Sequence, residues 1–276
     1  MSWLTLLGML AAAGSAQAVR LVAGSGSQRA GLVINSNVKA LLFDCDGTIA
    51  ETEQTLTLSQ FNLMFRDTPG LTHVCWTEAE YGELLKVGAS QARLTAYFNA
   101  NPELWPNDCA GEEGAARRKD FVDALKLKKD VLFDHAWAQG QVQLRPGVAR
   151  VIASAFSLGL KVAVCSNSNF LPVKRICESL LGSAVANRLH FECGDFPAYK
   201  TKKKPDPLMY LTASKTLGVE PSDCVVFEDS NVGLAAAYAA GVPCVVTPSF
   251  YTKQEDFARA AIVCETLETA KISLEP

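Results

Sequence analysis

Two aspartates, Asp44 and Asp46, follow a mainly apolar segment that runs from Val38 to Phe43. A short apolar run of this kind is typical of a buried strand in a parallel sheet, and open α/β sheets bind ligands at the carboxyl ends of such strands. Carboxylates so close in sequence repel each other, and at neutral pH they need a cation or a shared proton. The pair therefore predicts a divalent-metal site, and Gly47 beside it would let the chain turn sharply.

Two further positions could bind phosphate. Ser166 and Asn167 follow a later apolar segment, and a hydroxyl and a backbone N–H group suit phosphate oxygens. Lys204 directly precedes Pro205, which restricts its backbone and makes it a candidate for a fixed cation. The lysines before it are predicted to be a solvated run of charge.

Glu228 and Asp229 are a second acidic pair that follows an apolar segment. Taken alone, these adjacent acids could cap a helix. If a parallel sheet brings them beside Asp44 and Asp46, the four acids supply the oxygen ligands that Mg²⁺ prefers. The sequence therefore predicts bound Mg²⁺.

The string Phe-Asp-Cys-Asp-Gly-Thr that contains the first aspartate pair resembles the first motif of the haloacid dehalogenase-like (HAD) phosphohydrolases. The three later motifs of that superfamily are matched in chain order by Ser166, by Lys204 and by the pair Glu228 and Asp229. The resemblance implies a Rossmann-like α/β core with a parallel sheet and, inserted after the first motif, an α-helical cap of the C1 type.

Three longer strings are similar to the CbbY branch of this superfamily. They are Trp76 to Phe98, Leu144 to Ala149 and Thr247 to Thr252. CbbY-type enzymes are xylulose-1,5-bisphosphate phosphatases, which destroy an inhibitory by-product of Rubisco. The resemblance, from about residue 38 to 270, therefore implies a sugar-bisphosphate substrate.

The resemblance also implies a role for each motif residue. Asp44 would attack phosphorus, and Asp46 would protonate the leaving group and then activate water. The phosphoryl oxygens would be held by Ser166, the Asn167 amide and Lys204. The Mg²⁺ ligands would be the Asp44 carboxylate, the Asp46 backbone carbonyl, Glu228 and Asp229.

The elements that must position these residues follow an alternating pattern from Arg145 onward, which predicts a parallel sheet with crossover helices. The later predicted strands are Leu160 to Cys165, Leu189 to Cys193, Cys224 to Phe227, Pro243 to Val246 and Ala261 to Cys264. The predicted helices are Pro146 to about Leu158, Pro172 to Leu181, Pro207 to Leu217 and Asn231 to Ala240.

Residues 55–141 show helical periodicity without strand-like alternation, which predicts an all-α cap inserted into a core of residues 38–54 and 142–276. The cap contains a predicted capping box at Thr77 and Glu80 and a long helix from Glu112 to Trp137. A bisphosphate needs cations for its second phosphate, and Lys86 and Arg93 flank a predicted turn. The predicted substrate-binding set in and next to the cap is Lys86, Arg93, Glu53 and Tyr81.

Composition excludes several classes of function. The chain has 276 residues, and its net charge of −3 gives no sign of nucleic-acid binding. Its nine cysteines are odd in number and lack a CxxC spacing, which is typical of small core residues in a reducing compartment. The three histidines stand apart, so a histidine-based site is not expected. We expect a monomer without a membrane segment in its mature form.

Residues 1–37 differ from the rest, since no acidic residue occurs before Asp44. The apolar stretch from Leu4 to Ala13 is too short to span a bilayer, and small residues typical of a cleavage site follow it. A Ser- and Gly-rich stretch with two arginines comes next. This order predicts a targeting sequence for the plastid stroma; the alternative is a frayed extension of a cytoplasmic protein.

The motifs leave other functions open. A sugar phosphomutase such as β-phosphoglucomutase has the same core motifs and also forms an aspartyl phosphate, and a phosphoglycolate phosphatase is a third candidate. A different class is an inactive accessory or binding protein. The intact set of Asp44, Asp46, Lys204 and Asp229 argues against the last, since a dead domain has no chemical need for all four.

Overall fold

The computed structural model describes residues 19–22, 31–34, 37–109, 114–268 and 271–272. These residues form two compact units. The first contains the described residues up to Thr48, Pro146–Pro248 and those from Glu255 onward. The second contains the described residues of Ile49–Arg145 together with Ser249–Gln254. The predicted cap, 55–141, falls within the second unit, whose borders lie several residues outside it.

A six-stranded sheet forms the centre of the first unit, and the predicted α/β class is confirmed. Its strands are β3 (Ala40–Phe43), β4 (Lys161–Ser166), β5 (His190–Cys193), β6 (Cys224–Glu228), β7 (Cys244–Val246) and β8 (Ile262–Val263). All neighbouring strands are parallel, in the order β5-β4-β3-β6-β7-β8. Both faces of the central strands are buried, which explains their continuous apolar sequences.

Crossover helices connect these strands, as the alternating pattern predicts. The α-helices of the described residues are, in chain order, α1 (Leu58–Arg66), α2 (Glu78–Leu85), α3 (Ser90–Ala100), α4 (Gly114–Ala138), α5 (Val148–Ser157), α6 (Phe170–Leu181), α7 (Ser183–Ala186), α8 (Leu208–Leu217) and α9 (Asn231–Ala239). Helices α8 and α9 pack on the sheet through small and aromatic side chains such as Ala213, Ala237 and Tyr210. Burial of this apolar surface fixes β3, β4 and β6 as a rigid platform.

Helix α5 begins later than the sequence predicts, and the prediction of a start at Pro146 was wrong. Gly147 has φ +88°, a left-handed conformation outside the helix. A Cβ atom on Gly147 would lie 2.1 Å from the Leu267 backbone carbon, so a distant segment occupies the space beside this turn. The helix therefore begins at Val148.

The second unit is helical around an aromatic core. Its largest buried side chains include Phe61, Phe65, Trp76 and Phe98. The predicted capping box is present: the Glu80 N–H donates to Thr77 Oγ1 at 3.2 Å, and the Thr77 N–H donates to Glu80 Oε2 at 2.8 Å. The predicted long helix is α4.

Two strands lie within the segment predicted as a targeting sequence. They are β1 (Val19–Val22) and β2 (Gly31–Ile34), which pair antiparallel, and β2 also pairs parallel with β9 (Lys271–Ile272). Residues 1–18, 23–30 and 35–36 lie outside the described residues, so the targeting role stays a prediction. Among the described helices, none combines the length and the apolar character that crossing a bilayer requires.

Candidate active site

The register of the sheet brings the first and last motifs together. Phe43 pairs with Val164 on β4 and with Phe227 on β6, so the next residues, Asp44 and Glu228, leave the same edge of the sheet side by side. The Asp44 N–H donates to the Phe227 carbonyl at 2.9 Å and continues the ladder by one residue. The chemistry-bearing residues thus stand at the carboxyl ends of adjacent parallel strands.

Lys204 connects these strand ends through its ammonium group. Its Nζ donates to Asp44 Oδ1 at 2.8 Å, to Glu228 Oε1 at 2.7 Å and to the Cys165 carbonyl at 2.6 Å. The side chain is only 3% exposed. Burial lowers the pKa of Lys204, but its pairing with Asp44 and Glu228 outweighs this, and the net shift is upward. Lys204 is therefore a fixed, charged group at the sheet edge.

The Glu228 carboxylate is held by four donors. Oε1 accepts from Lys204 and from the Tyr210 hydroxyl, the latter at 2.5 Å. Oε2 accepts from the Asp229 N–H at 3.2 Å and from the Ser230 hydroxyl at 3.3 Å. A Cβ atom on Gly233 would lie 1.8 Å from the Glu228 carboxyl carbon, so only glycine leaves room for this group.

Three carboxylates form a group that fits a divalent cation. Asp44, Glu228 and Asp229 are buried, and each offers an oxygen within 4.8 Å of the others. Gly47 has φ +86°, and a Cβ there would lie 2.2 Å from Asp229 Oδ2. The absence of a side chain at Gly47 therefore leaves room for the Asp229 carboxylate. Three carboxylates against the single ammonium of Lys204 leave excess negative charge, and carboxylate oxygens are the donors that Mg²⁺ prefers. The residues fit the predicted metal.

Burial raises the pKa of Asp44 to about 7, with Glu228 and Asp46 adding to the rise and Lys204 opposing it. The cause is the cost of keeping a carboxylate charged away from water and beside other carboxylates. A divalent cation would remove that cost. The perturbed pKa of Asp44 is thus a property of the metal-free protein.

Asp46 and Asn167 are positioned by the loop that follows β4. The Ser168 hydroxyl donates to Asp46 Oδ2 at 2.7 Å, and the Ser168 N–H donates to Ser166 Oγ at 3.1 Å. The Asn167 side chain pairs with the backbone of Lys204, accepting from its N–H at 3.0 Å and donating to its carbonyl at 3.3 Å. This pairing fixes the loop that carries Lys204.

Three of the four substrate-binding candidates of the second unit form one cluster. Arg93 donates from Nε to the Gly88 carbonyl at 2.6 Å and from Nη1 to the Tyr81 hydroxyl at 2.7 Å. It also pairs with Glu53 at 3.3 Å, and the Tyr81 hydroxyl donates to Glu53. Burial raises the pKa of Tyr81, so its hydroxyl stays protonated.

Lys86 lies outside this cluster. Its side chain is 70% exposed, and its Nζ pairs with Glu83 Oε1 at 2.6 Å on the same helical turn. An exposed lysine of this kind remains able to reorient toward an anion. Its predicted role in substrate binding stays a prediction.

Sequence reasoning missed two residues that contact the catalytic candidates. Ser168 directly follows Ser166 and Asn167, the predicted phosphate-binding residues, and a third small polar residue in that run was the signal for another hydrogen-bonding group. Tyr210 lies six residues after Lys204, inside an apolar helical pattern that made it look like an ordinary core residue.

Comparison with known proteins shows which family this chain belongs to. A family model described as haloacid dehalogenase-like hydrolase matches residues 38–241. The CBBY-like protein of Arabidopsis thaliana is 45% identical over 228 residues, which cover 83% of this chain and 69% of that protein. Protein CbbY of Cupriavidus necator is 35% identical over 227 residues, 82% of this chain and 84% of the relative.

A solved structure adds a ligand to the comparison. The crystal structure of a CbbY mutant from Rhodobacter sphaeroides, in complex with xylulose-1,5-bisphosphate, is 31% identical to this chain and has a TM-score of 0.68. The match covers 84% of this chain and 95% of the other. The resemblance to this family is confirmed, and the chain belongs to the haloacid dehalogenase-like hydrolases, as a phosphatase of the CbbY type.

Proposed function

We propose that this protein is a Mg²⁺-dependent phosphatase that hydrolyses xylulose-1,5-bisphosphate through an aspartyl-phosphate intermediate. The observation that carries the proposal is the buried group at the sheet edge, in which Lys204 Nζ lies 2.8 Å from Asp44 Oδ1 beside Glu228 and Asp229. The CbbY mutant bound to xylulose-1,5-bisphosphate supports the choice of substrate.

In the first step, a carboxylate oxygen of Asp44 attacks phosphorus as the bond to the ester oxygen breaks. Asp46 gives its proton to the leaving sugar alkoxide, which is otherwise a poor leaving group. In the second step, Asp46 takes a proton from water, and the water oxygen attacks phosphorus. Inorganic phosphate leaves, and the Asp44 carboxylate is regenerated.

The other residues of the site bind and orient the phosphoryl group. The Ser166 hydroxyl, the Asn167 backbone N–H and the Lys204 ammonium hold the phosphoryl oxygens as their charge redistributes. Asp44, the Asp46 backbone carbonyl, Glu228 and Asp229 would hold Mg²⁺. When bound, the ion offsets negative charge on the phosphate and on the nucleophile.

The second phosphate of the substrate requires a separate cation, for which we propose Arg93 together with Lys86. Arg93 is oriented by Glu53 and Tyr81, and its planar guanidinium can bond two phosphate oxygens at once. Glu53 and Tyr81 carry the polar groups suited to sugar hydroxyls. Polar contacts of this kind could also reject ribulose-1,5-bisphosphate, because an unmatched hydroxyl leaves buried groups unpaired.

The decisive experiment incubates the purified protein with Mg²⁺ and xylulose-1,5-bisphosphate and measures inorganic phosphate. We expect stoichiometric phosphate release, with much slower release from ribulose-1,5-bisphosphate and phosphoglycolate. The protein is also incubated with sugar monophosphates. Conversion of one isomer into another without net release of inorganic phosphate would identify a phosphomutase instead. Absence of turnover on all of these substrates would favour an accessory protein.

We further propose that the mature enzyme is located in the plastid stroma, since residues 1–37 have the composition of a targeting sequence and an Arabidopsis thaliana protein is a relative. We also propose that it is a monomer. Fusing residues 1–37 to a fluorescent protein in plant cells tests the location. Plastid fluorescence is expected, and cytoplasmic fluorescence would support the alternative location. Light scattering of the purified enzyme tests the monomer.

A further inference from the structure

We propose that Tyr210 is a positioning residue of the phosphatase: its hydroxyl holds the Glu228 carboxylate, so that Lys204 can release Glu228 and bind the phosphoryl group. This inference rests on the proposed function, because it assigns a partner to Lys204 in that reaction. Tyr210 belongs to none of the four motifs.

Tyr210 is built into the buried side of the site. It is 0% exposed, it lies in the first turn of α8, and its hydroxyl is 2.5 Å from Glu228 Oε1. Lys204 Nζ lies 4.9 Å from the centre of its ring. One side chain therefore contacts both the ammonium group and the carboxylate that this group binds.

The donor capacity of Lys204 makes this contact important. A lysine ammonium has three N–H donors, and the three acceptors here are Asp44, Glu228 and the Cys165 carbonyl. A phosphoryl oxygen can gain a hydrogen bond from Lys204 only if one acceptor gives up its place. The resting site must therefore contain an acceptor that can be released at low cost.

Glu228 Oε1 is that acceptor, because it keeps a second donor. Once Lys204 has turned away, the Tyr210 hydroxyl still satisfies Oε1, while Oε2 keeps the Asp229 N–H and the Ser230 hydroxyl. A buried carboxylate oxygen left without a donor would be strongly unfavourable, because it has lost its hydrogen bonds to water and gained none in return. The Tyr210 hydroxyl removes that cost.

A hydroxyl also suits this position better than a second cation would. It donates a hydrogen bond but adds no charge, so the three carboxylates keep the negative charge that a divalent ion requires. A lysine or arginine at position 210 would neutralise that charge. Tyrosine at this position thus satisfies the Glu228 carboxylate with a hydrogen bond and leaves the negative charge of the proposed metal site unchanged.

The test replaces Tyr210 with phenylalanine, which removes only the hydroxyl. The matched control is Tyr199→Phe, because Tyr199 is 1% exposed and its hydroxyl donates at 2.6 Å to another buried carboxylate, Glu192. We expect Tyr210→Phe to lower kcat/KM about tenfold, the effect of about 1.4 kcal/mol. Tyr199→Phe should stay within about twofold of wild type at a similar loss of thermal stability.

A second readout follows the Lys204 ammonium in metal-free protein by nitrogen-15 NMR of lysine-labelled samples, with Lys204→Met identifying the signal. Tyr210→Phe should shift that signal, and Tyr199→Phe should leave it in place. The role of Tyr210 would be overturned if Tyr210→Phe left either kcat/KM or the ammonium signal unchanged. It would also be overturned if Tyr199→Phe lost as much kcat/KM as Tyr210→Phe. Activity retained by Lys204→Met would instead contradict the proposed function.

Discussion

Each unit of the protein contains a cluster of charged side chains, buried in the first unit and partly buried in the second, and the two clusters differ in their balance of charge. At the sheet edge of the first unit, Asp44 and Glu228 pair with one cation, Lys204, and Asp229 completes the group of three carboxylates. In the second unit, Arg93 is paired with a single carboxylate, Glu53, and with the neutral hydroxyl of Tyr81. The first cluster has negative charge in excess, whereas the second is balanced.

This difference separates a site that needs a ligand from a group that is stable without one. Excess buried charge is unfavourable unless a counter-ion arrives, and the pKa of Asp44 reflects this by rising to about 7. In the second unit the guanidinium and the carboxylate satisfy each other, and the Tyr81 hydroxyl completes the cluster. A cation bound to the first cluster would neutralise its excess negative charge. An anion bound to the second cluster must compete with Glu53 for the Arg93 guanidinium.

The largest effect is expected from removing the proposed nucleophile. Asp44→Asn keeps the shape of the side chain but removes its charge, so turnover should fall at least about a hundredfold while the fold is retained. Phosphate release and circular dichroism of the purified variant measure both. Asp223→Asn, at a carboxylate that pairs with the exposed Lys39, is the control. An Asp44→Asn enzyme that kept more than a few per cent of activity would have a different nucleophile.

Removing the metal is the next test, and it addresses the unbalanced cluster alone. EDTA should abolish activity, and added Mg²⁺ should restore it, because three carboxylates lie together here while the Lys204 ammonium pairs with only two of them. Mg²⁺ at a hundred times its dissociation constant should also stabilise the fold by about 2.7 kcal/mol, seen as a higher melting temperature. Full activity in protein shown to be metal-free would refute the magnesium assignment.

The balanced cluster is tested with Arg93→Ala. We expect KM for xylulose-1,5-bisphosphate to rise about tenfold, equal to about 1.4 kcal/mol of lost binding, and KM for a small monophosphate to change little. Arg66→Ala is the control, since Arg66 is an exposed arginine of the same unit. Lys86→Ala, measured in parallel, shows how much each of the two cations contributes to KM for xylulose-1,5-bisphosphate. Equal losses on both substrates would mean that Arg93 acts through folding.

The last test concerns stability and its dependence on pH. The pKa of Asp44 is raised from 3.8 to about 7 in the folded, metal-free protein, so the folded state binds this proton more tightly than the unfolded chain does. Its contribution to stability is therefore present below pH 4 and is lost as pH rises to about 7. Urea unfolding in EDTA should show this fall in wild type but not in Asp44→Asn. A fall of the same size in saturating Mg²⁺ would mean that Asp44 is not its source.

The types of the six-stranded sheet's elements and of the helical unit could be predicted from the sequence, while the strands β1 and β2 and several element ends could not. The apolar runs of β3 and β6 and the Thr77 capping box are local signals, and the structure has these elements. Helix α6 instead begins at Phe170, two residues before the predicted Pro172, because the Phe170 N–H donates to Asp195 at 2.9 Å. Asp195 lies 25 residues farther along the chain, so no local pattern contains this contact.

The sequence by itself determined the family of this protein, because the order of Asp44, Ser166, Lys204 and Asp229 resembles the motifs of the hydrolase family whose model matches residues 38–241. Tertiary structure decided which groups hold these residues in place. The Lys204 and Asp44 side chains meet across 160 residues of sequence. Sheet register and helix packing set such distances, and these depend on the summed burial of the whole core rather than on any local motif.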